Sequence, residues 1–407
     1  MPRRLIFVSP RFLFPADSGG KIRTTQILRG MKHGPFELTL VSPEPPAAGD
    51  RFRRELDEVC DRFVGWNETR RGPLFRLTRL RHALAREPIP VATDRSRDGR
   101  AAIERQLASE PDVAVFDFAH AAVLAPDAID VPTVLFTHNV ESWIFRRHAE
   151  VASNPVVRWA WRRQWRKMER FEQAALARFD TVVAVSDGDA RFFRERYGAN
   201  NVRLIPTGVD LGYFGYEPPG DGDGVVFIGA MDWLANQDGV GWLLDEVWPR
   251  IAASRPTADM RVVGRQPPAS LVRRADGQRW SFTGFVDDVR THVRGRSVCV
   301  IPLRVGGGTR IKAFEAMAMG CPVVSTSIGV EGLPLEDGVH YLRADTADEF
   351  SGAVLRLLVD SQLRTRISAA ARRHVEEHFS ARRAASVFQD ICLETSNDHR
   401  SGYQQTP

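Results

Sequence analysis

Residues 297–332 read SVCVIPLRVGGGTRIKAFEAMAMGCPVVSTSIGVEG, and this stretch decides the fold. Val298 to Ile301 is a short apolar run with β-branched residues on both sides of Cys299, which is typical of a buried parallel strand. Ala313 to Met319 is rich in strong helix formers and contains neither Gly nor Pro. Pro322 to Thr326 predicts a second strand. The stretch therefore predicts a strand, a glycine loop, a helix and a strand, which together form a βαβ crossover.

The loop between the first strand and the helix contains three consecutive glycines, Gly306, Gly307 and Gly308. Three glycines in a row cost chain entropy, and one structural reason for them is bare backbone whose N–H groups face a phosphate at a helix N-terminus. Arg310 and Lys312 follow in the first helical turn, where the helix dipole disfavours cations unless an anion binds there. A surface loop with solvated charges is the alternative, but the spacing favours a nucleotide site.

A carboxylate completes this pattern. Glu315 follows Lys312 by three residues, on the same helix face, and a carboxylate beside a phosphate site suits the hydroxyls of a ribose. The stretch lacks the Gly-Lys-Ser/Thr ending of a P-loop and the spacing of the dinucleotide fingerprint. We therefore predict a nucleotide site of another kind.

The segment GGGTRIKAFEAMAMGCPVVSTSIGVEGL at 306–333 resembles the donor-binding signature of the family 4 retaining glycosyltransferases, which have the GT-B fold. The resemblance implies an α/β architecture of two Rossmann-like domains facing across a cleft, with the C-terminal helix returning to the first domain. It places Gly307, Gly308 and Thr309 in the donor site with the two cations. In the family pattern two glutamates flank seven residues; Glu315 matches the second, but Gly307 stands where the first would fall.

Length and composition restrict the number of domains, the class of partner and the location of the protein. The chain has 407 residues, of which 43% are hydrophobic, enough for two α/β domains. A net charge of +5 fits phosphate-bearing substrates or an anionic membrane surface and does not single out nucleic acid. The four scattered cysteines have no zinc or redox spacing, so we expect buried thiols. With no signal peptide and no apolar run of spanning length, we expect a cytoplasmic protein, with the inner face of the plasma membrane as a peripheral location.

We predict three segments in the chain: an acceptor-side domain at 1–206, a donor-nucleotide domain at 207–378, and a helix crossing back to the first domain within 379–407. Residues 396–407 are expected to be a frayed tail. Residues 51–110 are expected to be mostly helical and carry an arginine-rich run. That run predicts a solvated face, with a lipid-phosphate contact as the alternative.

The first domain contains two candidate site segments, one after its first strand and one at His138. A strand at Leu5 to Ser9 precedes Gly19, Gly20 and Arg23, which match the glycine pair and first helical turn of the family's acceptor side; a simple tight turn is the alternative. His138 directly follows a strand at 133–137, and carboxyl ends of strands are where open α/β sheets bind ligands. The resemblance implies that His138 reaches the donor sugar across the cleft and acts in catalysis; a structural histidine is the alternative.

A long amphipathic helix is predicted at 157–179. Its apolar residues fall close to one stripe: Val157, Trp161, Trp165, Met168, Ala175 and Phe179. Arginines cover the remaining surface. Tryptophans beside arginines are also typical of an interfacial helix, but a Trp stripe at helical spacing favours core packing with a basic outer face.

The second domain opens with a strand ending at Gly229, whose loop holds Asn236. Many relatives carry an Arg and a Lys on this loop to hold the diphosphate, and here both are absent. The resemblance then leaves Arg310, Lys312 and Arg265, which ends the next strand, to supply the charge. It also implies that Phe285 and Val286 meet the nucleotide base.

These observations predict a glycosyltransferase that moves a sugar from a nucleotide-diphosphate sugar to a glycan or lipid-linked acceptor, in polysaccharide or glycoconjugate biosynthesis. The resemblance implies retention of configuration. No metal or other cofactor is expected, because the cations would stabilise the departing diphosphate. A GT-B nucleotide-sugar epimerase is one alternative. A non-catalytic nucleotide-sugar or glycan-binding protein is another, suggested by Gly307.

Overall fold

A computed structural model describes residues 2–16, 18–46, 48–67, 86–152, 154–275, 279–305 and 311–403. The chain divides into two compact units. The first unit comprises residues 1–208 together with 381–407, and the second comprises residues 209–380. Within the ranges given, none of the helices combines the length and the apolar character needed to cross a bilayer.

The first unit is built on a seven-stranded parallel sheet in the order β3-β2-β1-β4-β5-β6-β7. Its strands are β1 (Arg3–Val8), β2 (Phe36–Glu44), β3 (Arg62–Asn67), β4 (Val113–Asp117), β5 (Thr133–Phe136), β6 (Thr181–Ala184) and β7 (Val202–Leu204). Alternate side chains of β1 enter separate cores on the two faces: Leu5 and Phe7 lie in one, Ile6 and Val8 in the other. Burial on both faces explains why these strands are continuous apolar runs.

Helices cover both faces of this sheet. They are α1 (Gly19–Met31), α2 (Ala48–Arg51), α3 (Arg53–Val59), α4 (Ile89–Asp94), α5 (Arg97–Leu107), α6 (Glu141–Val151), α7 (Pro155–Leu176) and α8 (Asp187–Tyr197), with a 3₁₀ turn at Ala119–Val123. Side-chain caps fix several starts; Asn154 Oδ1, for example, accepts from the backbone N–H groups of Val156 and Val157 at the start of α7.

The second unit has a six-stranded parallel sheet in the order β10-β9-β8-β11-β12-β13. Its strands are β8 (Gly224–Ile228), β9 (Asp259–Val263), β10 (Trp280–Phe282), β11 (Val298–Ile301), β12 (Val323–Ser325) and β13 (Leu342–Arg343). Its helices are α9 (Leu234–Trp242), α10 (Trp248–Ser254), α11 (Ala269–Arg274), α12 (Arg290–Val293), α13 (Ile311–Ala318), α14 (Ala347–Val359) and α15 (Ser361–His378). β11, α13 and β12 confirm the predicted βαβ crossover, with β11 and β12 parallel.

The last helix, α16 (Ala381–Tyr403), belongs to the first unit, as the resemblance implied. Ala385 and Phe388 are fully buried in the same core as β1, and the Phe388 ring lies 4.8 Å from that of Phe136 on β5. The expected frayed tail at 396–407 is wrong as far as Tyr403, because α16 continues through it. Its last turns contain Ser396, which is fully buried.

Two further expectations need correction. β3 lies within the region expected to be mostly helical; its pairing with β2 gives these residues a ladder of hydrogen bonds that local pattern did not reveal. The arginine-rich run comprises six arginines, of which the first five lie outside the described residues: Arg70, Arg71, Arg76, Arg79, Arg81 and Arg86. In α7 the expected core stripe holds for Met168 and Ala175, but Val157 is 46% exposed, because only the C-terminal part of the helix lies over the sheet.

Candidate functional site

In the second unit, the strand order reverses between β8 and β11, which neighbour each other although β9 follows β8 in the chain. At such a reversal the connections leave in opposite directions and open a crevice beyond the carboxyl ends of the strands, where open α/β sheets bind ligands. The loop from Gly229 follows β8 at this point, and α13 begins shortly after β11. Of the predicted donor residues, Gly229, Asn236 and Lys312 therefore come together at the position that the sheet provides for a ligand.

Lys312 occupies this position. Its Nζ donates a hydrogen bond to Asn236 Oδ1 over 2.9 Å and lies 5.0 Å from the centroid of the Phe227 ring, a cation–π distance. Asn236 in turn donates from Nδ2 to the carbonyl of Ala230 over 2.7 Å. Asn236 is 2% exposed, so it cannot swing away from these partners without losing them. The ammonium is therefore held at a fixed place at the carboxyl edge.

Gly229 makes room for this arrangement. A Cβ added to Gly229 would lie 2.8 Å from Asn236 Nδ2 and 3.1 Å from Lys312 Nζ. Gly264, at the end of β9, lies so close to the carbonyl of Gly229 that a Cβ there would overlap it. Both glycines thus allow close packing of backbone and polar groups at the crevice.

Glu315 follows one turn later on α13. Burial raises the pKa of Glu315 to about 7, although the neighbouring Lys312 ammonium lowers it. The carboxyl group can therefore donate or accept a hydrogen bond near neutral pH, which suits a ligand hydroxyl. The predicted pairing of Glu315 with Lys312 on one helix face agrees with this electrostatic interaction.

The other predicted donor residues differ in how they are held. Arg265 forms an ion pair with Asp232 over 3.1 Å, so its charge is partly neutralised on the loop after β8. Phe285 is 71% exposed and its ring is free to contact a ligand, whereas Val286 packs partly against the core. Gly307, Gly308, Thr309 and Arg310 lie outside the described residues, as does Gly306. Their predicted contacts with phosphate stay predictions.

The first unit has its own reversal of strand order, between β1 and β4. Ser9 directly follows β1, Asp117 ends β4, and both are fully buried. Asp117 Oδ2 accepts from Thr24 Oγ1 of α1 over 3.0 Å and from Ser9 Oγ over 3.3 Å. Asp117 Oδ1 lies 2.7 Å from Nε2 of His138, which follows β5 after one residue. Side chains from three other segments, namely the end of β1, α1 and the segment after β5, thus converge on one buried carboxylate.

His138 is enclosed by this cluster. Its ring stacks on Phe118 at 4.0 Å and lies 4.4 Å from Phe136, and the residue is 2% exposed. Arg23 Nη1 lies 3.4 Å from Nδ1. A guanidinium can only donate, so Nδ1 is the acceptor and Nε2 carries the proton that is donated to Asp117. Burial lowers the pKa of His138, against the raising effect of Asp117, so the ring is neutral at pH 7.

Arg23 and the glycine pair lie beside this histidine. Burial lowers the pKa of Arg23 to about 10, while Asp189 and Asp117 oppose the shift. α1 begins at Gly19, and a Cβ at Gly20 would overlap the Phe118 ring. The predicted acceptor-side residues are therefore brought together with His138, and Arg23 is buried rather than facing solvent.

A second buried carboxylate anchors the segment that carries His138. Glu172 of α7 accepts hydrogen bonds from the backbone N–H of Glu141 over 2.7 Å and of Ser142 over 3.3 Å, which begin α6. It also accepts from the Tyr197 hydroxyl over 2.8 Å. Burial and the nearby Glu141 raise the pKa of Glu172 to about 7, against these hydrogen bonds.

The sequence reasoning missed Asp117, Thr24, Asn236 as a partner of Lys312, and Glu172. Asp117 lies at the carboxyl end of a predicted strand, as His138 does, so the same argument could have identified it. The contacts of the others join residues far apart in the chain. Among the described residues, no group of three or more histidine, cysteine, aspartate or glutamate side chains stands in a geometry that could hold a metal ion. All four cysteines are buried free thiols.

Comparison with sequence families finds two matches. Residues 222–360 match the model described as "Glycosyl transferases group 1", and residues 18–213 match "Glycosyltransferase Family 4". The chain is 29% identical over 236 residues to a D-inositol 3-phosphate glycosyltransferase of Geodermatophilus obscurus, covering 50% of each protein. It is 31% identical over 199 residues to a phosphatidyl-myo-inositol mannosyltransferase of Mycobacterium leprae, covering 46% of this chain and 52% of the relative. The matches thus span about half the length of these relatives.

Solved structures share the fold over nearly the whole chain. HepE of Anabaena, solved in complex with UDP, superposes with a TM-score of 0.68 at 15% identity, covering 96% of this chain and 100% of HepE. TarM superposes with a TM-score of 0.71 at 10% identity, covering 96% of this chain and 99% of TarM. At these identities the likeness shows the fold, and it agrees with the predicted class.

The raised pKa of Glu172 predicts a pH-dependent stability. A carboxyl whose pKa is higher in the folded than in the unfolded chain binds an extra proton when folded, so stability falls as pH rises from about 4.5 to about 7 and stays low above that. The shift corresponds to roughly 3 kcal/mol. Glu172→Gln keeps an acceptor for α6 and removes the titration, so the loss of stability between about pH 5 and about pH 8 should shrink.

Hydrogen exchange of peptides covering α6 and α7, measured at both pH values, checks this. Glu150→Gln on the exposed side of α6 is the matched control and should leave the pH dependence as in the unmodified protein. An unchanged pH dependence in Glu172→Gln would show that another group is responsible.

Proposed function

We propose that this chain transfers a sugar from a nucleotide-diphosphate sugar to a glycan or lipid-linked acceptor. The chain belongs to glycosyltransferase family 4, because one half matches the model of that family and the other half matches the model of glycosyl transferases group 1. The transfer would proceed with retention and serve glycoconjugate or polysaccharide biosynthesis. The names of the relatives support a sugar-transfer reaction on phosphorylated or lipid-linked acceptors. We propose a cytoplasmic location with access to the membrane surface.

The observation that carries this proposal is the position of Lys312. Its ammonium is held by Asn236 at the carboxyl edge between β8 and β11, one helical turn before the partly buried Glu315. A fixed cation at the crevice of a doubly wound sheet suits the phosphates of a nucleotide, and a carboxyl group one turn away suits its ribose.

In the proposed reaction the bond between the sugar carbon and the diphosphate breaks, and negative charge develops on the leaving phosphate oxygen. Lys312 would stabilise that charge from its preset position, with Arg310 and the backbone of the glycine loop as further donors. Retention would follow from attack on the face from which the diphosphate leaves, with a leaving-group oxygen taking the proton of the acceptor hydroxyl. Because these cations would carry the neutralisation, we propose that no metal is needed.

His138 is proposed to contact the transferred sugar. Its neutral ring is fixed by Asp117 and Arg23, so it cannot serve as a proton reservoir at pH 7 without breaking those bonds. A fixed ring at this place would act by orienting the sugar and by supporting the segment around residues 137–140. Gly19, Gly20 and Arg23 are proposed to shape the acceptor side from the start of α1.

Two other functions remain to be distinguished. A nucleotide-sugar epimerase of the same fold would act on the donor alone and release a free sugar nucleotide without any acceptor. A binding protein would hold the donor and release no nucleotide. Calorimetry against a panel of nucleotide sugars identifies the donor, and product analysis with and without a lipid-linked or glycan acceptor then separates the three. Acceptor-dependent release of nucleoside diphosphate with a new glycosidic product supports the transferase.

Lys312→Ala should raise the donor KM and lower kcat, because the variant loses a positive charge that is present in both the bound and the reacting state. A loss of about 100-fold in turnover is the expected scale for one preorganised donor. Steady-state kinetics with the donor found in the panel measures it. Lys32→Ala, which removes an ion pair with Asp61 in the first unit, is the matched control and should leave the kinetics unchanged. Unaltered constants in Lys312→Ala would falsify the phosphate role.

His138→Ala should slow turnover more than it weakens nucleotide binding, because the proposed contact is with the sugar and not with the nucleotide. Turnover rates and calorimetric titration with the nucleoside diphosphate give the two quantities. Thermal unfolding is followed in parallel, since the change leaves Asp117 buried with one donor fewer. His148→Ala, which removes another ring that stacks in the first unit, is the control. If His138→Ala lost only nucleotide affinity, the proposed contact of His138 with the sugar would be wrong.

A further inference from the structure

The N-terminal part of α7 carries exposed apolar side chains. Val156 is 72% exposed, Val157 46% and Trp159 62%. A tryptophan exposed to this extent contributes little to the core, and Val156, three residues earlier, is its neighbour on the helix surface. Packing within the unit does not account for the exposure of Val156 and Trp159.

The packing of α7 uses its other sides. Trp161 stacks on His148 of α6 at 4.5 Å and lies 5.8 Å from the Phe145 ring. Further along, Met168 and Glu172 are fully buried. The helical hairpin of α6 and α7 is therefore complete without Val156 and Trp159.

Cationic side chains follow Val156 and Trp159 along the exposed side of α7. Residues 156, 159, 163, 166 and 170 recur at spacings of three and four, which places them on one stripe of the helix. Trp159 lines a surface depression of about 520 Å³ with Arg162, Arg163, Arg166, Lys167 and Arg170. The Arg163 guanidinium lies 5.9 Å from the centroid of the Trp159 ring. We call the set Val156, Trp159, Arg162, Arg163, Arg166 and Arg170 the outer face of α7.

The charges of the outer face are not neutralised by the rest of the unit. Within the part of the chain that the structure describes, Arg162, Arg163, Arg166 and Arg170 form no ion pair. The one carboxylate on this stretch that faces solvent, Glu169, pairs with Arg196 of α8 over 3.1 Å. Four arginines held close together repel one another unless an anionic surface meets them.

One partner chemistry satisfies both halves of this face. An aliphatic side chain and a tryptophan gain from entering the boundary between headgroups and acyl chains, where an indole keeps its N–H near water. Arginines one or two turns away would meet the lipid phosphates, and each is attracted by an anionic leaflet. A nucleic acid would match the cations but offers no apolar layer for Val156 and Trp159.

We propose that the outer face of α7 docks the protein onto a bilayer that contains anionic lipids, with Trp159 at the level of the headgroups. The docking does not depend on the transfer reaction. It would bring a lipid-linked acceptor and the enzyme to the same surface, and its failure would leave the transferase proposal as it stands.

Sedimentation with vesicles tests the proposal on the full chain. Vesicles of phosphatidylcholine with phosphatidylglycerol should bind the protein, and vesicles of phosphatidylcholine alone should bind it much less. Arg162→Gln and Arg166→Gln should each weaken binding about fivefold, and Trp159→Ser should weaken it as well. Arg273→Gln with Val272→Ser, on the exposed basic helix α11 of the second unit, is the matched control and should bind like the unmodified protein.

Quenching of tryptophan fluorescence by brominated lipids reports whether Trp159 enters the bilayer. The quenching should fall markedly in Trp159→Phe, which keeps an aromatic ring at the same place. Equal binding by the outer-face variants and the unmodified protein would overturn the proposal. So would equal binding to both kinds of vesicle, or a self-association that Trp159→Ser abolishes while vesicles bind nothing. Thermal unfolding of each variant confirms that the fold is retained.

Discussion

Reversal of strand order in a parallel sheet is the constraint on which the rest of this structure depends. In each unit the first strand lies beside a strand that comes later in the chain, so the connecting segments diverge and leave the carboxyl edge open at that point. Ser9, Asp117 and His138 gather at one reversal, and Gly229, Asn236 and Lys312 at the other. The chemistry of both clusters lies in loops and helix starts, while the buried strands supply only their positions.

The two clusters differ in how their polar groups are satisfied by hydrogen bonds. In the first unit a fully buried carboxylate is surrounded by donors from α1, β1 and the segment after β5, so each polar atom of His138 has a partner. In the second unit the Lys312 ammonium bonds to the Asn236 amide and lies over an aromatic ring, and the Glu315 carboxyl group, with a pKa of about 7, stands nearby. The first arrangement is closed and rigid. The second places a positive charge at the crevice, where the proposed diphosphate would need one.

The stretch at 297–332 allowed the βαβ unit and the fold class to be predicted, because glycines, helix formers and apolar runs act locally. β3 escaped prediction because Arg62 to Asn67 gains its structure from pairing with β2. The bond between Asn236 and Lys312 joins residues 76 positions apart, and nothing in the local pattern marks it. Trp159 lies off the apolar stripe predicted for this helix, and the structure shows that it is 62% exposed. Local sequence patterns thus predicted the helices, the strands and the candidate residues. The hydrogen bonds that fix those residues in place come from long-range contacts, which local patterns do not reveal.

The central claim is that the second unit binds a diphosphate at Lys312. The most direct measurement is a crystal structure of the protein soaked with the nucleoside diphosphate that it binds in solution. The claim predicts phosphate oxygens within hydrogen-bonding distance of Lys312 Nζ, at the start of α13, with the ribose towards Glu315. A nucleotide ordered elsewhere in the protein, with the start of α13 free of ligand, would contradict it.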